Sequence, residues 1–242
     1  KREYTTMPAY SETLYAHWIA NTYTVEYNAN GGTGTTASST HTYDVAKTLT
    51  KNSFKKETST FLGWNTNQDA TEAMYTDSQS VINLTSVNNA TVDLYAIWKK
   101  TVTITYDANG GTGAPSVQTG TYYNRQTSIS ITLSNTVPTK TGSTFLGWST
   151  SPTATTATYN KGTAYDFSDS VTLYAVWGTN AYVLTFDANG GKVTPGTISQ
   201  DFGASITMPT PTREGYTFDG WYTAASGGEK REYTTMPAYS ET

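Results

Sequence analysis

The phrase Tyr27-Asn28-Ala29-Asn30-Gly31-Gly32 returns as Tyr106-Asp107-Ala108-Asn109-Gly110-Gly111 and again as Phe186-Asp187-Ala188-Asn189-Gly190-Gly191. A second phrase follows each: Phe61-Leu62-Gly63-Trp64, Phe145-Leu146-Gly147-Trp148 and Phe218-Asp219-Gly220-Trp221. Two units then close on a third phrase, Leu94-Tyr95-Ala96-Ile97-Trp98 and Leu173-Tyr174-Ala175-Val176-Trp177. Phrases that recur in a fixed order restrict the chain to a repeat architecture, in which each unit folds around the same few residues.

The last unit has no closing phrase, and Leu14-Tyr15-Ala16-His17-Trp18 is a closing phrase with no opening phrase before it. Lys1 to Thr13 and Lys230 to Thr242 are moreover the same thirteen letters, KREYTTMPAYSET. The expected division is therefore 1–18, the end of a preceding repeat; 19–99, repeat 1; 100–178, repeat 2; and 179–242, repeat 3 without its closing strand. Two readings stay open here: a window cut from a longer array, or a subunit whose Leu14, Tyr15, Ala16, His17 and Trp18 complete a neighbour's last repeat.

Thr22–Tyr27 and Thr101–Tyr106 alternate polar with apolar or aromatic residues, as half-buried strands do when successive side chains point to opposite faces. Tyr23, Val25 and Tyr27 share one face, as do Val102, Ile104 and Tyr106. The pairs Asn30-Gly31, Asn109-Gly110 and Asn189-Gly190 predict tight hairpin turns, because both residue types tolerate positive φ. Asp107 and Asp187, with Asn28 in the first copy, are placed to cap turn amides. Trp18, Trp64, Trp98, Trp148, Trp177 and Trp221 are the expected core. A repeat of this size buries only roughly 60% of its unfolded surface, so aromatics that each bury on the order of 150–250 Å² weigh heavily. No window holds a helical period; at most one short helical turn per repeat is expected, near Asp77–Leu84.

Composition sets several functions aside. Charged residues make up 14% of the chain and its net charge is −4, so no clustered Lys and Arg favour nucleic acid or anionic lipid. No apolar run reaches the roughly 18 to 20 residues of a membrane-spanning helix. Cysteine is absent, which removes disulfides and thiolate metal sites. The two histidines, His17 and His41, have no counterparts in the other repeats, so a recurring nucleophile–base pair is not expected. The D-A-N-G-G phrase has oxygen ligands but lacks the further spaced carboxylates of a calcium loop, and is read as a turn. No enzyme, cofactor or metal is expected.

The order Y-[ND]-A-N-G-G, F-x-G-W, L-Y-A-x-W resembles the Listeria/Bacteroides repeat of the internalin B-repeat type, over essentially the whole chain. The resemblance implies small β-grasp-like, ubiquitin-resembling modules in tandem on exported proteins, without catalytic residues. Mostly β repeats arranged as beads or a rod are thus expected, in an extracellular, cell-surface fibre, stalk or adhesin, with strand completion between chains or units as one of the two open readings of how the array is built. The alternative is a multivalent array that binds glycan or host protein. Partners would be further copies of the repeat, in cis or in trans, and the cell wall or a host surface.

Overall fold

A computed structural model of the chain describes residues 1–3 and 5–239. Tyr4 and residues 240–242, members of the two identical thirteen-residue segments, lie outside the described residues. No helix forms among the described residues, and none is therefore long and apolar enough to cross a membrane. The regular structure is all strand, as the period-two alternation and the absence of any helical period require.

In chain order the strands are β1 (Thr22–Asn28), β2 (Ser39–Thr42), β3 (Lys47–Thr48), β4 (Thr60–Asn65), β5 (Ser80–Val81) and the long β6 (Thr91–Asp107). They continue with β7 (Gln118–Tyr123), β8 (Ile129–Thr132), β9 (Ser143–Ser149), β10 (Ala164–Phe167) and β11 (Val171–Thr179). The last four are β12 (Ala181–Thr185), β13 (Thr197–Asp201), β14 (Trp221–Tyr222) and β15 (Lys230–Arg231). The chain forms two compact units, Lys1–Lys100 with Tyr122–Gln126, and the remaining residues 101–121 and 127–242.

In the first unit β1 is antiparallel to β2 and parallel to the start of β6, where Tyr27 faces Leu94. The other edge of that part of β6 is antiparallel to β4, with Trp64 opposite Ala96. The closing phrase is thus the central strand of its repeat, which explains its apolar character. The ladder shifts between Phe61 and Gly63, so two residues of β4 oppose one of β6, the signature of a bulge. Gly63 has φ +138°, and a Cβ there would stand 2.3 Å from the Tyr75 carbonyl oxygen. Only glycine fits. Tyr23, Val25, Leu49, Trp64, Leu94 and Trp98 form the buried core.

Residues 122–126 belong to this unit through Asn124. Its side-chain oxygen accepts from the Trp98 backbone N–H at 3.0 Å, and its own N–H donates to the Trp98 carbonyl at 3.1 Å. The Asn124 amide also donates to the carbonyls of Gln68 (3.1 Å) and Ala70 (2.7 Å), and Arg125 pairs with Asp69 at 2.7 Å.

In the second unit the pattern repeats. β11 is parallel to the end of β6, with Leu173 facing Tyr106, and antiparallel to β9, with Ala175 opposite Trp148. β8 and β10 pair beside them. Repeat 3 carries its counterparts of the opening and GW strands in β12 and β14, β12 pairing antiparallel with β13 and β14 with β15. One residue, Asn180, separates β11 from β12. Its N–H donates to the Gly142 carbonyl (2.9 Å), its carbonyl accepts from the Phe202 N–H (2.8 Å), and its side-chain oxygen accepts from the Thr144 hydroxyl (2.6 Å).

Two expectations are corrected. Asp77–Leu84 forms no helical turn: Ser78 takes φ +57°, which interrupts a right-handed helix, and Ser80–Val81 becomes β5, with Val81 opposite Lys47. The Asn-Gly pairs do turn the chain, with φ of 45° and 89° at Asn30 and Gly31, but they do not join paired strands directly. β2 resumes only at Ser39, and the intervening Thr33 bridges Lys55 instead.

Candidate functional site

Each repeat is organised around its Asn-Gly turn. The residue two before the Asn accepts that Asn's backbone N–H: Asn28 Oδ1 at 2.9 Å, Asp107 Oδ1 at 2.7 Å and Asp187 Oδ1 at 2.9 Å. A short side-chain acceptor suffices for this cap, which is why Asn replaces Asp in the first repeat without altering the turn. Beyond it, the Gly32 N–H donates to the Ala29 carbonyl, and Gly111 and Gly191 do the same with Ala108 and Ala188.

The turn Asn then reaches inward. Asn30 Nδ2 donates to the Ala96 carbonyl of the closing phrase (3.0 Å) and to the Gln68 carbonyl (2.7 Å). Asn109 Nδ2 donates to the Ala175 carbonyl (2.9 Å) and to the Pro152 carbonyl (2.8 Å). The closing Trp answers from the other direction, with Trp98 Nε1 donating to the Ala29 carbonyl at 2.7 Å and Trp177 Nε1 to the Ala108 carbonyl at 3.0 Å. Turn and closing strand therefore hold each other by two bonds in each of the first two repeats, and the indole lies against the second glycine of the turn, Gly32 or Gly111.

The aromatic geometry is equally repetitive. Tyr27, Tyr106 and Phe186 meet Trp64, Trp148 and Trp221 at 4.8, 4.9 and 4.8 Å between ring centroids. Phe61, Phe145 and Phe218 meet the same three indoles edge-on at 5.0, 5.0 and 5.4 Å. Phe61 and Phe145 also touch the closing Trp98 and Trp177. Aromatic pairs in such tilted geometries contribute about 0.5–1.5 kcal/mol each beyond their burial.

In repeat 3 the turn Asn makes the corresponding bond to the loop beyond the GW strand. Asn189 Nδ2 donates to the Ala225 carbonyl at 2.9 Å, the counterpart of Gln68 and Pro152. Repeat 3 has a cleft of about 500 Å³, lined by Phe186, Ala188, Phe218, Trp221 and Tyr233 among others. Trp64 and Trp148 are 0% exposed, whereas Trp221 is half-buried and Phe218 exposed. A small core of Leu184, Phe186 and Met236 remains beneath.

The predicted core residues divide accordingly. Trp64, Trp98 and Trp148 are buried, and Trp177 and Trp221 half-buried. Trp18 is 90% exposed and lies outside any strand. Leu14, Tyr15, Ala16 and His17 share that exposure. The turn residues Asn30, Gly31, Asn109, Gly110, Asn189 and Gly190 all take positive φ. Sequence reasoning missed Asn124 and its bonds to Trp98; the available signal was a left-handed turn residue at a position that Asp44 and Gly203 fill in the other repeats. Among the described residues no group of three or more His, Cys, Asp or Glu side chains converges as a metal site.

The family model of the Listeria-Bacteroides repeat domain matches residues 23–97, 103–176 and 182–241. The chain is 31% identical over 226 residues, 89% of its length, to a protein of Evansella cellulosilytica described as a Gly-rich membrane protein. It is 32% identical over 191 residues, 73% of its length, to Internalin H of Listeria monocytogenes. These alignments cover 24% and 30% of the relatives, so the chain spans about a quarter to a third of the length of the curated relatives it matches. No solved structure matches.

Proposed function

The chain belongs to the Listeria-Bacteroides repeat family, and on that premise we propose that it is a structural segment of an extracellular, cell-surface protein, in which tandem repeats form a semi-rigid rod of a fibre, stalk or adhesin. The observation that carries this reading is what recurs from repeat to repeat: the turn cap, the Asn amide, the GW bulge and the tilted aromatic pairs. All of these build the fold. A binding array would instead repeat a set of solvent-facing side chains.

The short connection supports stiffness. Asn180 is the sole residue between β11 and β12, and its backbone and side chain are all engaged. Phe202 adds contact there, since a Cβ on Gly142 would fall 2.1 Å from its ring. The division into one terminal piece and three repeats is supported by the three family matches. A β-grasp-like form is supported by the parallel pairing of opening and closing strands. The cell wall or a host surface is the partner this reading implies, and Internalin H and the Evansella protein are in keeping with a surface setting.

The test uses the absence of cysteine in the chain. Dyes on Val45→Cys and Ser226→Cys, both exposed positions, report the distance across the array by single-molecule energy transfer at picomolar concentration. One narrow distribution that is insensitive to salt supports the rod. A broad, solvent-dependent distribution refutes it.

A further inference from the structure

We propose that the Asn30-Gly31 and Asn109-Gly110 turns are latent sites of spontaneous deamidation, closed to reaction while the closing strand is seated and open to it once that strand is pulled away, so that the unfolding of a repeat becomes permanent. The proposal goes beyond the structural reading above and does not depend on it.

An Asn followed by Gly is open to this chemistry because no Cβ shields the attacking backbone nitrogen. The Gly nitrogen loses its proton to base and bonds to the Asn side-chain carbonyl carbon. The bond from that carbon to the side-chain nitrogen breaks, and the nitrogen takes up a proton and leaves as ammonia. Water then opens the five-membered imide at either carbonyl, leaving aspartate or isoaspartate. One water is consumed and one ammonia released, with no enzyme and no cofactor.

In the folded repeats the leaving group is tied down. Both hydrogens of the Asn30 amide are donated, to the Gln68 carbonyl at 2.7 Å and the Ala96 carbonyl at 3.0 Å. Both hydrogens of the Asn109 amide go to the carbonyls of Pro152 (2.8 Å) and Ala175 (2.9 Å). Ala96 and Ala175 lie in the closing phrases on β6 and β11, so departure of that strand frees the amide. Asn30 is moreover only 3% exposed, and a Cβ on Gly31 would stand 3.3 Å from the Asn124 carbonyl oxygen, which leaves little room for base beside the nitrogen.

The product does not fit the place it came from. Deamidation turns a double donor into a carboxylate that only accepts, set 2.7–3.0 Å from carbonyl oxygens. The repeats draw the same distinction themselves. The position two residues earlier accepts a hydrogen bond and is Asn28 in one copy but Asp107 and Asp187 in the others, whereas the turn position donates and is Asn in every copy. Isoaspartate also lengthens the backbone by one carbon within a turn held at φ 45° and 89°. Either product keeps the closing strand from reseating.

The tetrapeptide Ala-Asn-Gly-Gly is identical at 29–32 and 108–111. The two intrinsic rates therefore match, and a difference between the sites in the native chain comes from the fold. Asn109 is half-buried, and a Cβ on Gly110 would stand 3.3 Å from Lys140 Nζ, a cation that favours loss of the proton from nitrogen. Asn30 is thus the better protected of the two.

The test holds the full chain in mildly alkaline buffer, native and in unfolding urea, digests samples at acid pH, and follows aspartate and isoaspartate at positions 30 and 109 by mass spectrometry. Trp98→Phe is carried through the same time course, and urea midpoints are measured for Asn30→Asp and Asn28→Asp. The expected result is equal rates at the two sites in urea, rates about tenfold or more lower in the native chain, and Asn30 slower than Asn109 there. Trp98→Phe should speed the native reaction at Asn30 and leave Asn109 as the internal reference. Asn30→Asp should lower the urea midpoint, and Asn28→Asp should leave it unchanged. Native rates equal to those in urea, or an Asn30→Asp chain as stable as the parent, overturns the proposal, and the native time course needs no variant to fold. The dye-distance measurement reads neither rate nor product, so failure of one proposal leaves the other standing.

Discussion

The indole nitrogen of Trp98 donates to the carbonyl of Ala29 at 2.7 Å, and so ties the last residue of the closing phrase to the first turn of its own repeat, 69 residues earlier. That carbonyl also accepts from Gly32. Trp98→Phe keeps most of the apolar contact and loses one hydrogen bond, so it should cost about 0.5–1.5 kcal/mol. Trp98→Ala should cost about 3–5 kcal/mol. Urea unfolding of the two variants measures the difference.

Gly32 and Gly111 occupy the same position under the closing Trp, with different clearances. A Cβ on Gly111 would meet the Thr139 carbonyl oxygen at 2.5 Å and Trp177 Cζ2 at 2.7 Å; on Gly32 the corresponding contacts with Lys55 and Trp98 are 3.0 Å. Both alanine variants should be destabilised, within the range of about 1–3 kcal/mol typical of overpacking, and Gly111→Ala by more than Gly32→Ala. Thermal unfolding of the two variants ranks them.

The aromatic phrases and turn caps were legible in the sequence because every copy repeats them at positions where the backbone dictates the residue: a glycine at a bulge, an Asn at positive φ, an indole over the turn. What could not be read arises from pairings whose determinants are nonlocal. β3 and β5 are two residues each in polar stretches, and only the pairing of Lys47 with Val81 makes them strands. The Asn-Gly pairs announced a turn but not that the chain would wander from Ala29 to Ser39 before pairing. Trp18 carries the same sequence signal as Trp98 yet is exposed and outside any strand, because the signal names a residue type and not the strands it packs between.

Met7 and Met236 sit within identical sequences in opposite surroundings. Met236 is 1% exposed, its N–H bonded to the Ala204 carbonyl, whereas Met7 is 92% exposed. Met236→Ala should cost about 2–5 kcal/mol, and Met7→Ala should lie within about 0.5 kcal/mol of the parent. Denaturant unfolding of the two single variants, followed by tryptophan fluorescence, is the measurement.

His41 introduces a pH dependence confined to repeat 1. It is buried, stacked on Tyr23 at 5.4 Å and bonded through Nε2 to the Ser39 hydroxyl at 2.9 Å. Burial first, and the nearby Lys47 charge second, lower its pKa below the ordinary 6.5. The unfolded chain therefore binds the proton more readily than the folded one. The stabilisation held by neutral His41 is complete above pH 6.5 and is lost as pH falls from there toward the lowered folded value. The melting temperature of repeat 1 should drop between pH 7.5 and pH 5.5, and His41→Gln should flatten that drop. Calorimetry across the series tests it.

The parallel pairing of β1 with β6 sets how a repeat answers a pull along the chain. Tension enters where β1 begins, at Thr22, and leaves beyond the closing phrase, at the far end of a strand that runs in the same direction. The five facing residue pairs from Thr24–Thr91 to Asn28–Tyr95 then slide against one another together. A hairpin pulled at its open end would instead unzip pair by pair. A tandem of such modules resists stretching through simultaneous shear of its ladders, and the Trp98 and Asn30 bonds across the turn must give way in the same event.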